Sequence, residues 1–104
     1  MRVTLDTNVY VSALQFAGRA ARLLGMAHAG TIRIDISPEI EEELIGVLRE
    51  DFAWDGYRLH SLRERLAKLA NRVVPTRALT VADDPDDNRI FECVLEAGSD
   101  YVVT

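Results

Sequence analysis

Cysteine is all but absent from this chain. The single Cys93 excludes an intramolecular disulfide framework and fits a reducing compartment. It falls on an apolar helical pattern and reads as a core residue. Long apolar runs are missing too. No stretch approaches the roughly 20 residues that span a bilayer, and no signal-peptide core precedes Asp6. The expectation is a cytoplasmic protein with no membrane partner. There is no glycine-rich phosphate loop, internal repeat, low-complexity tract or interdomain linker. Histidine is scarce: His28 and His60 fall in helical stretches without a carboxylate at useful spacing and read as non-catalytic. Ser12 has no Ser-His-Asp arrangement to make it a nucleophile. What remains is 104 residues, 48% of them hydrophobic, enough for the core of one domain spanning 1–104.

The net charge of −5 argues at first against a nucleic-acid partner, but the charges are segregated. Arg58, Arg63, Arg65, Lys68, Arg72 and Arg77 crowd one stretch, opposed there only by Glu64, while acids crowd Glu39–Glu43 and Asp83–Asp87. Arg58, Arg65, Lys68 and Arg72 can form a face that guides RNA phosphates or meets an acidic partner. A simple solvated face is the competing reading.

Strand and helix patterns alternate with short connections, which predicts a parallel α/β sheet. Strands are expected near Arg2–Leu5, Ile32–Ile36, Val73–Val74 and Tyr101–Val103. Helices are expected near Val9–Ala29, Pro38–Arg49, Tyr57–Asn71 and Pro85–Ala97, with a loose loop at Asp51–Gly56. Two of the three prolines mark helix starts: Ser37-Pro38 and Asp84-Pro85 each pair an N-cap with proline at the first helical position. Gly30 and Gly98 stand where helices end and strands follow.

Three acids then stand out. Asp6 follows the first strand directly, at the carboxyl end where open α/β sheets build their sites. On the second helix the apolar stripe reads as Ile40, Leu44, Val47 and Leu48. Glu43 borders that stripe, whereas Glu42 points away and Glu39 and Glu41 flank it outward. Such a carboxylate needs an arginine partner, hydrogen bonds or a metal. Asp87 lies in the first turn of the last helix, beside Ile90 and Phe91. Asp84 and Asp86 are accounted for by capping and the helix dipole. Three hard oxygen donors without a His/Cys set suit Mg²⁺ or Mn²⁺ better than zinc, and such ions serve phosphodiester hydrolysis.

In order along the chain, these segments resemble the PIN domain family, in particular the VapC-type ribonuclease toxins of toxin–antitoxin pairs. The likeness is carried by Leu5-Asp6-Thr7-Asn8-Val9-Tyr10-Val11-Ser12-Ala13, by Ser37 to Glu43-Leu44 with Val47-Leu48, by Asp84-Pro85-Asp86-Asp87-Asn88-Arg89-Ile90, and by Ala97-Gly98-Ser99-Asp100-Tyr101-Val102-Val103-Thr104. It implies a metal-dependent endoribonuclease on a three-layer α/β/α domain with a central parallel sheet, often dimeric and neutralised by a cognate antitoxin. Asp6, Glu43 and Asp87 would be its catalytic and metal-holding acids, with Asn8 and Ser12 as polar support. In that family Gly-Asp normally follows the position of Thr104 and a further strand comes after. Their absence from this sequence leaves two readings: an RNase toxin, impaired without the fourth acid, or a catalytically silent PIN-like module that binds protein or RNA. The open edge of Tyr101–Val103 is expected to pair with a second copy.

Overall fold

Val3-Thr4-Leu5 and Ile34-Asp35-Ile36 are buried at every position, which is how central strands of a parallel sheet covered on both faces behave. The computed structural model describes residues 1–104. Its elements are β1 (Arg2–Leu5), α1 (Thr7–Gln15), α2 (Arg19–His28), β2 (Arg33–Ile36), α3 (Pro38–Phe52), α4 (Gly56–Leu69), β3 (Ala70–Arg72), α5 (Pro85–Ala97) and β4 (Tyr101–Val103). All four strands are parallel in the order β3-β2-β1-β4. Val3 stands opposite Ile34 and Tyr101, and Ile34 opposite Ala70. Five helices flank this sheet, the α/β/α arrangement expected of a PIN-like chain. α5 packs on β1 and β2, and α1 packs on α2 and α3. The core gathers Leu5, Ile34 and Ile36 with Ile40, Leu44 and Leu48 of α3, Leu59, Leu62 and Leu66 of α4, and Ile90 and Cys93 of α5.

The caps form as their residues dictate. Ser37 Oγ accepts the Ile40 amide at 3.3 Å, and Asp84 Oδ1 accepts the Asp86 amide at 2.9 Å. Gly30 and Gly98 follow their helices at φ 77° and 67°, where a side chain would be strained.

Four expectations need correction. The helix predicted over Val9–Ala29 is two helices, interrupted at Phe16–Gly18. Gly18 adopts φ 149°, ψ −156°, a region essentially reserved for glycine, so one residue ends the continuous pattern. The third strand is Ala70–Arg72 rather than Val73–Val74. Asn71 Nδ2 donates to Asp35 Oδ1 at 2.9 Å and draws this stretch onto β2, leaving Val74 exposed. α3 runs on to Phe52 and ends at Ala53, in the left-handed region at φ 55°. That strain, about 1–2 kcal/mol, is offset by Trp54, which buries its ring, donates Nε1–H to Gln15 Oε1 at 3.2 Å and carries the Arg58 guanidinium 3.8 Å over its centre.

The fourth correction concerns Glu41, predicted to point outward. It is buried, together with Ile45, while Val47 is only half-buried. The buried face of α3 is rotated toward positions 41 and 45 because α4 and β3 cover that flank. Arg63 of α4 reaches Glu41 Oε2 at 2.9 Å, and Arg72 of β3 bonds the same oxygen.

A polar chain runs through the sheet. Asp35 is fully buried and accepts Ser99 Oγ–H at 2.8 Å, Asn71 Nδ2 at 2.9 Å and an Arg2 Nη2 contact at 3.5 Å. Thr4 bonds Ser99 Oγ at 2.7 Å. β1, β2, β3 and the turn before β4 are thereby tied around one satisfied carboxylate. Before α5, the segment 73–84 is strapped to that helix. Thr76 is held by Glu96, Leu79 by Glu92 and Arg89, and Ala82 by both amide atoms of Asn88. These bonds deliver the acid-rich start of α5 to the carboxyl end of the sheet.

Candidate functional site

Asp6 follows β1 directly and caps α1. Its amide donates to the Val103 carbonyl at 2.9 Å, and its Oδ1 accepts the Asn8 amide at 3.2 Å. The β1–β4 pairing and the start of α1 therefore fix where this carboxylate stands. Thr7, the next residue, is buried and donates Oγ1–H to Glu43 Oε2 at 2.9 Å. This hydroxyl joins the first acid motif to the second.

Glu43 has a raised pKa. Partial burial is the main cause, the Thr7 hydrogen bond opposes it, and the charge and hydrogen bond of Asp86 and then the charge of Asp6 raise it further. No Lys or Arg forms an ion pair with Asp6, Glu43, Asp86 or Asp87. The arginine-pairing alternative for Glu43 is therefore not what forms. Glu41 and Glu42 take Arg63 instead, and that guanidinium holds the exposed Glu42 carboxyl below its ordinary value.

Asp86, which sequence reasoning assigned to the helix dipole alone, is the α5 acid acting on Glu43. Asp87 is exposed in the same first turn, its amide bonded to the Asp84 carbonyl at 3.1 Å. Phe91, read as part of the apolar stripe beside Asp87, is exposed as well. α5 turns Ile90, Cys93 and Ala97 inward and spends Asn88 and Glu92 on the preceding segment. No signal in the sequence separates Asp86 from Asp87, since both acids of the first turn suit the helix dipole equally.

The donor set suits a hard divalent cation in kind and charge, being carboxylate oxygens with no Lys or Arg paired to them. It does not close around one: no three His, Cys, Asp or Glu side chains stand near enough to hold an ion directly. Mg²⁺ typically keeps several waters and takes only one or two carboxylates, so these residues fit a hydrated ion.

Asn8 and Ser12 are exposed on α1. Across from them lie Arg19 and Leu23 of α2 and Val103 of β4, and together they line a cleft of about 550 Å³ that adjoins Asp6. The four basic residues singled out in the sequence differ in their contacts. Arg58 lies over Trp54 and Arg72 is engaged by Glu41, whereas Arg65 and Lys68 are free of ion pairs and line a recess with His28. His60, expected to lack a carboxylate partner, pairs at the surface with Glu64 at 3.0 Å, one helical turn away. Cys93 is buried in the core as expected, and burial pushes its thiol up to about 11.

Compared with known families, residues 2–104 match the profile of the PIN domain, and the chain belongs to that family, a fold generally used by nucleases. No curated protein and no solved structure gives a match. No helix is long and apolar enough to cross a membrane.

Proposed function

We propose that this chain is a divalent-metal-dependent endoribonuclease that acts as the toxin of a toxin–antitoxin pair. What supports the nuclease reading is that Asp6, Glu43 and Asp86 act on one another where no basic side chain pairs with any of the three, the Glu43 pKa being raised first by partial burial and then by Asp86 and Asp6. A folded protein retains such repulsion where a cation or a proton-transfer role compensates it. Asp6, Glu43 and Asp87 would hold Mg²⁺ or Mn²⁺, with Asp86 as a further donor beside Glu43. When bound, the ion supplies Lewis-acid polarisation for phosphodiester hydrolysis.

The chain's own residues do the rest. Thr7 fixes the orientation of Glu43 through a hydrogen bond to Oε2, which holds that carboxylate toward Asp6 and Asp86. Asn8 and Ser12 would be polar support near Asp6. The toxin role rests on the likeness of the ordered motifs to VapC-type proteins and brings a cognate antitoxin as partner. A second copy of the chain as partner belongs to the same reading.

The test is cleavage of a labelled RNA by the purified chain with Mg²⁺ or Mn²⁺, against excess chelator and against Asp6→Asn. Activity should need the ion and fall by orders of magnitude in the variant. Unchanged cleavage in chelator overturns the mechanism.

A further inference from the structure

Between Asp83 and Asp87 every residue except Pro85 is an aspartate, and none of them is paired with Lys or Arg. Left to itself, such a turn would spread its charges. Two closures oppose this. Inside the turn, Asp84 Oδ1 accepts the Asp86 amide at 2.9 Å and the Asp84 carbonyl accepts the Asp87 amide at 3.1 Å. Around it, Asn88 Oδ1 accepts the Ala82 amide at 2.7 Å while Asn88 Nδ2 donates to the Ala82 carbonyl at 3.1 Å. Asn88 is buried, and both polar ends of its side chain are spent on that one residue.

Asparagine suits this closure for chemical reasons. A carboxamide donates and accepts at once, so it satisfies both backbone groups of Ala82 without bringing charge. An aspartate here would accept the amide, abandon the carbonyl and add a further carboxylate to the turn. The other bonds that strap 73–84 onto α5 do not duplicate the closure. Asn88 reaches back 6 positions to Ala82, whereas Glu92 reaches back 13 to Leu79 and Glu96 reaches back 20 to Thr76. Without Asn88 the innermost closure would be that of Glu92. The unheld stretch before α5 would then lengthen from Asp83–Asp84 to Thr80–Asp84, and a longer free loop is costlier to hold in one shape. The turn at stake carries Asp86, the acid that acts on Glu43.

We propose that Asn88 is a positioning residue of the metal site, closing the Ala82–Asn88 loop so that Asp86 and Asp87 are presented together to the ion that Asp6 and Glu43 share. Asn88 touches neither the ion nor RNA and acts through the backbone of the turn.

The proposal rests on the metal-dependent reading given above, so its test has a metal-free arm and a metal arm, neither of which measures cleavage. The proteins are the full chain, Asn88→Leu, Asn88→Asp and Glu96→Ala. Leucine keeps the branched shape of asparagine and removes both bonds, and Glu96→Ala releases the same segment at its other end. In chelator, hydrogen exchange at the Ala82 and Asp87 amides should quicken in Asn88→Leu, while Leu5 and Ile36 in the sheet keep the parent's protection. Glu96→Ala should quicken Thr76 and leave Ala82 and Asp87 unchanged. By calorimetry, Mn²⁺ should bind Asn88→Leu about tenfold more weakly than the parent, the lower end of what losing an outer partner of a metal ligand costs. Glu96→Ala should bind it as the parent does. Asn88→Asp should also bind Mn²⁺ more weakly, although a count of carboxylates predicts the reverse. Should Asn88→Leu lose protection throughout the sheet, Asn88→Asp decides by the same readouts. Tighter Mn²⁺ binding by Asn88→Asp, parent affinity in Asn88→Leu, or equal weakening in Glu96→Ala would overturn the positioning role. Unchanged exchange at Ala82 and Asp87 in Asn88→Leu would overturn the closure itself. A parent chain that binds no Mn²⁺ would instead overturn the metal-dependent reading, and this role with it.

Discussion

Glu41 offers the sharpest test of the packing, because its partners differ from it in exposure. Its side chain is 4% accessible, against 36% for Arg63 and 50% for Arg72. Replacing Glu41 by Gln therefore frees two arginines that water can solvate. The loss is two charge-assisted hydrogen bonds, discounted because the donors are half in solvent, or about 1–2 kcal/mol. Replacing both arginines by Ala leaves a carboxylate stranded in the core, and breaking buried pairs in that sense costs about 3–5 kcal/mol. Each arginine removed alone should cost less than half of the double substitution, since the other still holds Glu41. Urea unfolding followed by far-UV circular dichroism at pH 7 measures all four variants, with an unchanged m-value as the check that only stability moved. If Glu41→Gln destabilises as much as Arg63→Ala/Arg72→Ala, the asymmetry of burial does not govern this site and the reasoning fails.

Stability of the metal-free chain should depend on pH through Glu43. Its pKa is raised in the fold, so its stabilising contribution is complete below the unfolded carboxyl value near ~4.3 and is lost as pH rises through the higher folded value. Glu43→Gln should flatten that decline, and Mn²⁺ at ~100 times its dissociation constant should restore about 2.7 kcal/mol at neutral pH in the parent but not in the variant. Thermal melts across pH, with and without Mn²⁺, decide it, and identical Mn²⁺ shifts in both proteins would contradict the site. Gly18→Ala should destabilise by about 1–3 kcal/mol through backbone strain alone, since a Cβ there meets no atom within 4 Å; an unchanged melting temperature would contradict the turn. Charge reversal at Arg65 and Lys68 should weaken RNA binding and flatten its salt dependence if that recess contributes, and coincident binding curves at low salt would remove it from the RNA surface.

The parts of this protein legible in its sequence are those decided within a few residues. Ser37-Pro38 and Asp84-Pro85 open helices because cap and ring act on the next turn, and Gly30 and Gly98 follow helices because their backbone tolerates the left-handed turn. The alternation of apolar strands with helices predicts the parallel sheet, and Asp6 stands at the carboxyl end of β1 because it directly follows Leu5. What a residue meets across space was not legible. A helical wheel put Glu41 outside because it cannot know that α4 and β3 cover that flank with Arg63 and Arg72. The same wheel cannot tell Asp86 from Asp87 beside Glu43, since both occupy one turn and only the packing of α5 near α3 brings Asp86 to it. Asp35 stands in an apolar strand, and the register with Asn71, together with Ser99 arriving before β4, makes it the centre of a satisfied network. Local chemistry set the elements and their ends. Long-range packing chose which polar groups are buried, and therefore which carboxylates are neutralised by arginine and which are left together at the site.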